Sequence, residues 1–149
     1  MRPSSLCCFL ILLLGASSLL GASLSMGAEG ETTRAEGETD VLLHVIRREV
    51  LFFSGESGRW ISVPLGSGEQ VLQQKAGRTV AVVVTNERAI AFSALLTAVD
   101  QVALPRDERV VAFTVEGHVA SVLTGRRAYG FSSRFGRWTV QERLQLGPP

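Results

Sequence analysis

The chain has 149 residues, with 15 lysines and arginines against 14 aspartates and glutamates, so its formal net charge is +1. That length suits one ordinary domain, and a nearly neutral chain gives no basis for binding nucleic acid or an anionic membrane surface. Two cysteines and two histidines are too few and too scattered for a metal centre. The composition therefore predicts no metal and no cofactor.

Residues 1–28 have the three parts of a secretory signal peptide. Arg2 precedes nine uninterrupted apolar residues, 6–14, and small residues then prevail. A basic start, a short apolar core and a small-residue tail are typical of a cleaved export signal. Two cleavage sites fit, with Ser25 or Gly27 as the last residue removed.

An uncleaved N-terminal anchor over residues 6–24 is the alternative, although a membrane span needs about 20 apolar residues and this stretch contains several Gly and Ser residues. Cleavage removes both cysteines and leaves no stable membrane span. The mature protein then enters an oxidising compartment without disulfides. The sequence predicts an exported protein, periplasmic or secreted, that is stabilised by packing alone.

Residues 29–40 contain five acidic residues, one arginine and no large apolar residue. Such a composition cannot bury enough apolar surface to fold, so it predicts an acidic disordered leader. The folded domain is expected over residues 41–149.

A repeat of 39 residues organises this domain. Phe53, Phe92 and Phe131 are separated by this period, and each is followed by serine. Two ungapped alignments extend the match: 84–93 with 123–132, and 53–60 with 131–138. Self-similarity at a fixed period indicates a repeat architecture.

One period is predicted to contain four short antiparallel strands. Residues 79–85 are apolar and β-branched, as expected of a strand buried on both faces, and residues 89–93 alternate. Asn86 and its counterpart Gly125 lie in the turn between them and tolerate the positive φ of hairpin turns. Residues 94–104 fit a helical period when taken alone, but their repeat counterparts predict a loop and a strand, which we follow. The predicted fold is an all-β antiparallel meander.

Residues 53–60, followed by Pro64, resemble the kelch-type β-propeller signature, in which an aromatic strand, a polar turn and a tryptophan precede a proline. Residues 131–138 repeat the pattern, while Val99 replaces the tryptophan in the middle repeat. The resemblance covers residues 41–146. It implies propeller-blade-like repeats and a binding role.

Residues 41–149 hold fewer than three full periods, whereas closed propellers use four to eight blades. Three arrangements are open: a compact β-sandwich or barrel, an incomplete propeller that a homo-oligomer of two or three chains completes, and a domain with an exposed sheet edge. The compact domain is slightly favoured over the ring of chains.

The recurring Gly-Arg-Trp sequence supplies the candidate ligand-binding residues, which are Arg59, Trp60, Arg137 and Trp138. Arginine and tryptophan are enriched at binding hot spots, and tryptophan rings also stack on sugars. The competing interpretation is that each tryptophan fills an equivalent packing position, with an arginine stem covering it.

Charged residues recur as well, since Glu69 aligns with Glu108 and Arg88 aligns with Arg127. The two arginines lie beside the predicted hairpin turns. Strand pairing or turn solvation is the favoured role for them.

The sequence thus predicts a non-catalytic exported β-domain that binds a protein or a glycan. It contains no nucleophile-elbow motif and no phosphate-binding loop. The alternatives are a secreted or periplasmic hydrolase of unrecognised type and a structural envelope component. Two tryptophans exposed on one rim would favour ligand binding, whereas a pocket lined by two carboxylates would favour hydrolysis.

The mature protein is expected to begin between about residues 24 and 29, because signal cleavage follows small residues. The intact mass of the protein recovered from the producing cells measures this. Retention of residues 6–14 in the mature form would identify an anchor instead.

Overall fold

The computed structural model describes residues 30–33 and 39–142, which form twelve β-strands. The strands are β1 Gly30–Thr33, β2 Val41–Ile46, β3 Glu49–Ser54, β4 Arg59–Pro64, β5 Val71–Ala76, β6 Val80–Thr85, β7 Arg88–Ser93, β8 Ala98–Ala103, β9 Val110–Glu116, β10 Val119–Thr124, β11 Arg127–Ser132 and β12 Arg137–Glu142. The predicted signal peptide lies outside the described residues. Within the described ranges, no helix is long and apolar enough to cross a membrane.

The strands form three four-stranded antiparallel sheets in chain order, β1–β4, β5–β8 and β9–β12. We call these sheets the first, second and third blades. Each strand pairs with its neighbour in sequence, and β3, β7 and β11 begin 39 residues apart. The predicted all-β meander is confirmed. Because the sheets are separate and stack in chain order, the described residues form a propeller-like stack of three blades and not a compact sandwich or barrel.

Each blade has two faces because successive side chains of a strand point to opposite sides of the sheet. We call the face towards the preceding blade the leading face and the opposite one the trailing face. One core lies between the trailing face of the first blade and the leading face of the second, and a second core lies between the second and third blades. In β6, every residue is buried, as the sequence predicts for a strand covered on both sides.

The three repeated phenylalanines occupy equivalent leading-face positions but differ in burial. Phe92 and Phe131 are buried in the two cores. Phe53 is only half-buried, because none of the three blades in the described ranges covers the leading face of the first blade. The repeat predicts equivalent buried sites for the three rings, and this prediction is wrong for Phe53.

Hydrogen bonds at the seams between blades repeat with the same period. The Asp40 amide donates to the Arg78 carbonyl at 2.8 Å, and the Thr79 amide donates to the Gly117 carbonyl at 3.0 Å. A side-chain bond recurs in the same way, from Ser54 Oγ to the Ala94 carbonyl and from Ser93 Oγ to the Ser133 carbonyl. The two seams are thus built on one plan.

The loop and strand predicted within residues 94–104 are confirmed, since a turn over 94–97 leads into β8. Asn86 and Gly125 tolerate a positive φ, but neither of them adopts one. The turn after β6 is closed by a side chain instead, because Thr85 Oγ1 accepts the amides of Glu87 and Arg88. Local hydroxyl-to-backbone bonds of this kind stabilise turns without left-handed residues.

Residues 30–33 also differ from the expected disordered leader. They form β1, which pairs antiparallel with β2, from Gly30 opposite Ile46 to Thr33 opposite Leu43. Backbone pairing needs no apolar side chains, and it satisfies the exposed edge of β2, which would otherwise present unpaired amides and carbonyls. Composition alone therefore misassigns these four residues.

Replacing Phe92 with alanine is expected to lower the free energy of unfolding by about 3–5 kcal/mol, because it opens a cavity in a covered core. Phe53→Ala is the matched control and should cost about 1–2 kcal/mol, since its ring is covered on one side only. Chemical denaturation measures both. A Phe92→Ala value within about 0.5 kcal/mol of the wild type, the range of surface substitutions, would contradict the position of this ring.

Candidate functional site

The glycine of each Gly-Arg-Trp sequence is explained by the backbone. Gly58 and Gly136 have φ angles of 65° and 63°, in the left-handed region that favours glycine. Both amides donate to the carbonyl of the last residue of the preceding strand, at 2.8 Å. Thr97 has the counterpart position in the second blade and also takes a positive φ, of 50°. The glycine of the motif is therefore required by the turn, and only the arginine and the tryptophan are candidates for binding.

Trp60 lies on the open leading face of the first blade and is 54% exposed. Its ring centroid lies 5.0 Å from that of Phe53 and 5.9 Å from that of His44. Leu42 and Leu51 are half-buried on the same face. We call these five residues the aromatic patch. Exposed apolar surface of this kind marks an interaction site in many proteins.

Trp138 has the same strand position in the third blade, but its surroundings differ. Its ring packs against the core between the second and third blades, 5.4 Å from the ring of Phe131. Its backbone amide donates to Asp100 Oδ2 at 2.7 Å, and its indole Nε1 donates to the Asp100 carbonyl at 3.3 Å. Packing therefore accounts for Trp138.

The two arginines are exposed and lie apart from their tryptophans. Arginine and tryptophan are consecutive in a strand, so they point to opposite faces of the blade. The structure therefore does not bring Arg59, Trp60, Arg137 and Trp138 together on one rim. Trp60 and Arg137 instead lie on the two uncovered faces at opposite ends of the described chain.

A hollow of about 620 Å³ occupies the trailing face of the third blade. Its lining includes the small residues Gly130 and Ser121 and the side chain of Arg137. Val119 and Phe135, which also line it, are 54% and 72% exposed. Sequence reasoning missed this face, because Gly130 and Phe135 have no motif of their own and become visible only once the blades are stacked.

The recurring charged residues form two buried ion pairs. The Glu69 side chain is 1% exposed, and Arg88 donates to it through Nε at 2.7 Å and Nη2 at 2.8 Å. The Gly66 amide and the Thr85 hydroxyl also donate to this carboxylate. Burial by itself would raise the pKa of Glu69, but the hydrogen bonds and charge of Arg88, with Gly66 and Thr85, hold that pKa below its ordinary value of 4.5.

The third blade repeats this arrangement. Glu108 is 2% exposed, accepts a hydrogen bond from Thr124 and pairs with Arg127 at 3.0 Å. The neighbouring Tyr129 and the charge of Glu108 raise the pKa of Arg127 above its ordinary value. The sequence predicts a pairing or turn role for the arginines but does not connect them to the glutamates. The constant spacing of 19 residues between each glutamate and its arginine was the available signal.

A histidine–hydroxyl contact lies at the seam between the second and third blades. Thr79 Oγ1 is 2.7 Å from His118 Nδ1 and 2.8 Å from Ser133 Oγ. Both hydroxyl residues are buried, at 2% and 0% exposure, so neither is accessible to a substrate. These groups join the two blades. In the part of the chain that the structure describes, no group of three or more His, Cys, Asp or Glu side chains could hold a metal ion.

No protein-family model matches the chain, and no curated protein matches it. Among solved structures, it is similar to HIRA(644-1017), with a TM-score of 0.49 and 17% identity over 76% of this chain and 40% of that chain. It is also similar to the N-terminal domain of Nup159, with a TM-score of 0.42, 15% identity and coverage of 80% and 31%. A chain of the mitotic checkpoint complex gives a TM-score of 0.42 and 15% identity, with coverage of 88% and 45%. The chain spans less than half the length of each. The propeller-like fold itself follows from the order and stacking of the three sheets.

Glu69→Gln is expected to lower the free energy of unfolding at neutral pH by about 2–4 kcal/mol, because it leaves the half-buried Arg88 without its counter-charge. Since the pKa of Glu69 is lowered by folding, its stabilisation is complete above pH 4.5 and is lost as the pH falls through the lower, folded-state value. Thermal unfolding across this acidic range measures the effect, and the gap between wild type and variant should narrow.

Glu87→Gln is the matched control, because Glu87 pairs with Arg106 at the surface, where both side chains are exposed. Such a pair contributes about 0–1 kcal/mol. A Glu69→Gln variant no less stable than Glu87→Gln would show that the buried pair is not a structural element.

Proposed function

We propose that this chain is a non-catalytic interaction module that binds another protein chain through the aromatic patch on its first blade. The observation that carries the proposal is the contrast between two equivalent tryptophans. A neighbouring blade covers Trp138, whereas Trp60 is 54% exposed beside Phe53 and His44. The second and third blades bury their leading faces, so the exposed aromatic leading face of the first blade is expected to need a partner.

The recurring polar clusters support a binding role over a catalytic one. Both glutamate–arginine pairs have buried carboxylates that turn hydroxyls and arginines already saturate. The hydroxyls next to His118 are buried in a seam. These groups stabilise the fold, and a hydrolase would require accessible ones. The structural envelope role remains the alternative if the aromatic patch has no partner.

A glycan is the second candidate ligand, because the exposed Trp60 ring offers a flat stacking surface. Export is part of the proposal and is supported by the organisation of residues 1–28. An exported domain would meet proteins and glycans of the cell envelope or the surroundings. The kelch-type character of the repeats stays a prediction from residues 53–60 and 131–138.

Site-specific photo-crosslinking tests the proposal. A benzophenone amino acid at position 60, in the protein as the producing cells make it, should give a discrete product on irradiation. The same amino acid at position 106 is the control, because the Arg106 side chain is 85% exposed but lies outside the aromatic patch.

Protease digestion and mass spectrometry then identify what is attached. Peptides linked at position 60 would establish a protein partner, while a sugar adduct would replace the protein ligand by a glycan. Equal yields at positions 60 and 106, or no product at position 60, would mean that the aromatic patch is not an interaction surface.

A further inference from the structure

The two uncovered faces of the chain correspond, position by position, to the two sides of an existing seam. On the leading side of the seam between the second and third blades, Phe131 and Trp138 lie 5.4 Å apart. Their counterparts two periods earlier, Phe53 and Trp60, lie 5.0 Å apart on the open leading face of the first blade. The first blade therefore presents the same aromatic pair that the third blade buries.

The trailing sides match in size as well. In the covered seam, the small residues Ala89 and Ala91 of β7 lie in one core with the large residues Tyr129 and Phe131. Their counterparts on the open trailing face of the third blade are Ala128 and Gly130. Gly130 lines the hollow of about 620 Å³ on this face. A hollow and a protruding aromatic pair are the two halves of a complementary interface.

The loops that flank the seam show the same correspondence between covered and open faces. Leu96, in the turn before β8, packs so closely on the third blade that a Cβ added at Gly136 would lie 2.8 Å from its Cδ1. The counterpart of Leu96 on the open face is Phe135, which is 72% exposed. The counterpart of Gly136 on the first blade is Gly58, where an added Cβ would meet nothing within 4 Å. The open faces thus hold an apolar side chain and the space to receive it.

The seam hydrogen bonds have counterparts too. In both existing seams, a serine at the end of the third strand of a blade donates to a carbonyl of the next blade, at 2.9 and 2.6 Å. The third serine of this series is Ser132, which lines the hollow. Its counterpart acceptor is the carbonyl of Gly55, beside the aromatic patch on the first blade.

We infer that the partner of the aromatic patch is the hollow on the third blade of a second copy of this chain, so that two copies close head to tail into a six-bladed ring. Closed propellers use four to eight blades, and six is the only multiple of three in that range. A head-to-tail contact either closes a ring or continues as a filament, and blade geometry favours closure at two copies. The inference rests on the proposed function and names its partner.

The ring also gives the arginine of the motif a role. Arg137 lines the hollow, and the Trp60 of a second copy would enter the same seam. Arginine and a tryptophan face attract each other when they meet in a partly desolvated interface. Arg137 of one copy would then contact Trp60 of the other copy, whereas within one chain the two residues lie on opposite faces.

Native mass spectrometry and light scattering of the full chain over a concentration series test the inference. The wild type should have twice the mass of one chain. Gly130→Phe fills the hollow, yet it should fold, because an added Cβ meets only Thr139 Oγ1 at 3.4 Å. It should weaken the dimer about 100-fold or more, since both seams of a two-copy ring contain the substitution.

Gly125→Phe is the matched control, because Gly125 lies in an exposed turn with open space around it. It should leave the dimer unchanged. Trp60→Glu, on the opposite face, should also give monomers. An equimolar mixture of Gly130→Phe and Trp60→Glu should recover some dimer, because a mixed pair contains one unaltered seam. Recovery of this kind is specific to a head-to-tail interface.

A monomeric wild type, a dimer that persists in Gly130→Phe, or a mixture that recovers no dimer would each overturn the inference. These results separate it from the proposed function. A monomer whose position 60 crosslinks to a different protein keeps the interaction module and loses only the second copy as its partner. A monomer with no crosslink at position 60 removes both.

Discussion

The burial of the second blade on both faces is the interaction on which the rest of the structure depends. Every residue of β6 is buried, and all but the first residue of β7. Small and large side chains alternate in β7, so that Ile90 and Phe92 fill the core with the first blade while alanines admit the large rings of the third. Because residues 39–142 contain no cysteine, this stacking is the main source of their stability.

Because a blade is buried only where another blade covers it, the first and third blades each have one uncovered face. A sheet in the middle of a stack has a neighbour on each side, but the first and third blades have one each. Their uncovered faces keep the residue pattern of covered ones, with aromatic side chains at one end and small residues at the other. Soluble proteins seldom leave such faces bare. Repetition of a unit that needs two neighbours therefore leaves apolar side chains exposed on the terminal blades.

Polar groups at the seams fix the register of this stacking. The serine and backbone bonds recur every 39 residues, and the buried glutamate–arginine pairs hold the strand connections of the second and third blades. The first blade lacks this pair, since Gly30 and Glu49 stand where glutamate and arginine recur. A buried ion pair opposes a shift in strand register, because the shift would separate a buried charge from its partner.

The sequence by itself determined the period, the all-β meander and the strand within residues 94–104, because hydrophobic alternation and repeat spacing are local properties that an alignment of the chain with itself reveals. Tertiary structure decided what the recurring residues do. Trp60 and Trp138 both end a Gly-Arg-Trp sequence, and the presence or absence of a neighbouring blade decides that Trp138 packs in a core while Trp60 is exposed. The β1 strand at residues 30–33 was equally invisible in composition, because backbone pairing depends on a free sheet edge and not on the side chains that pair.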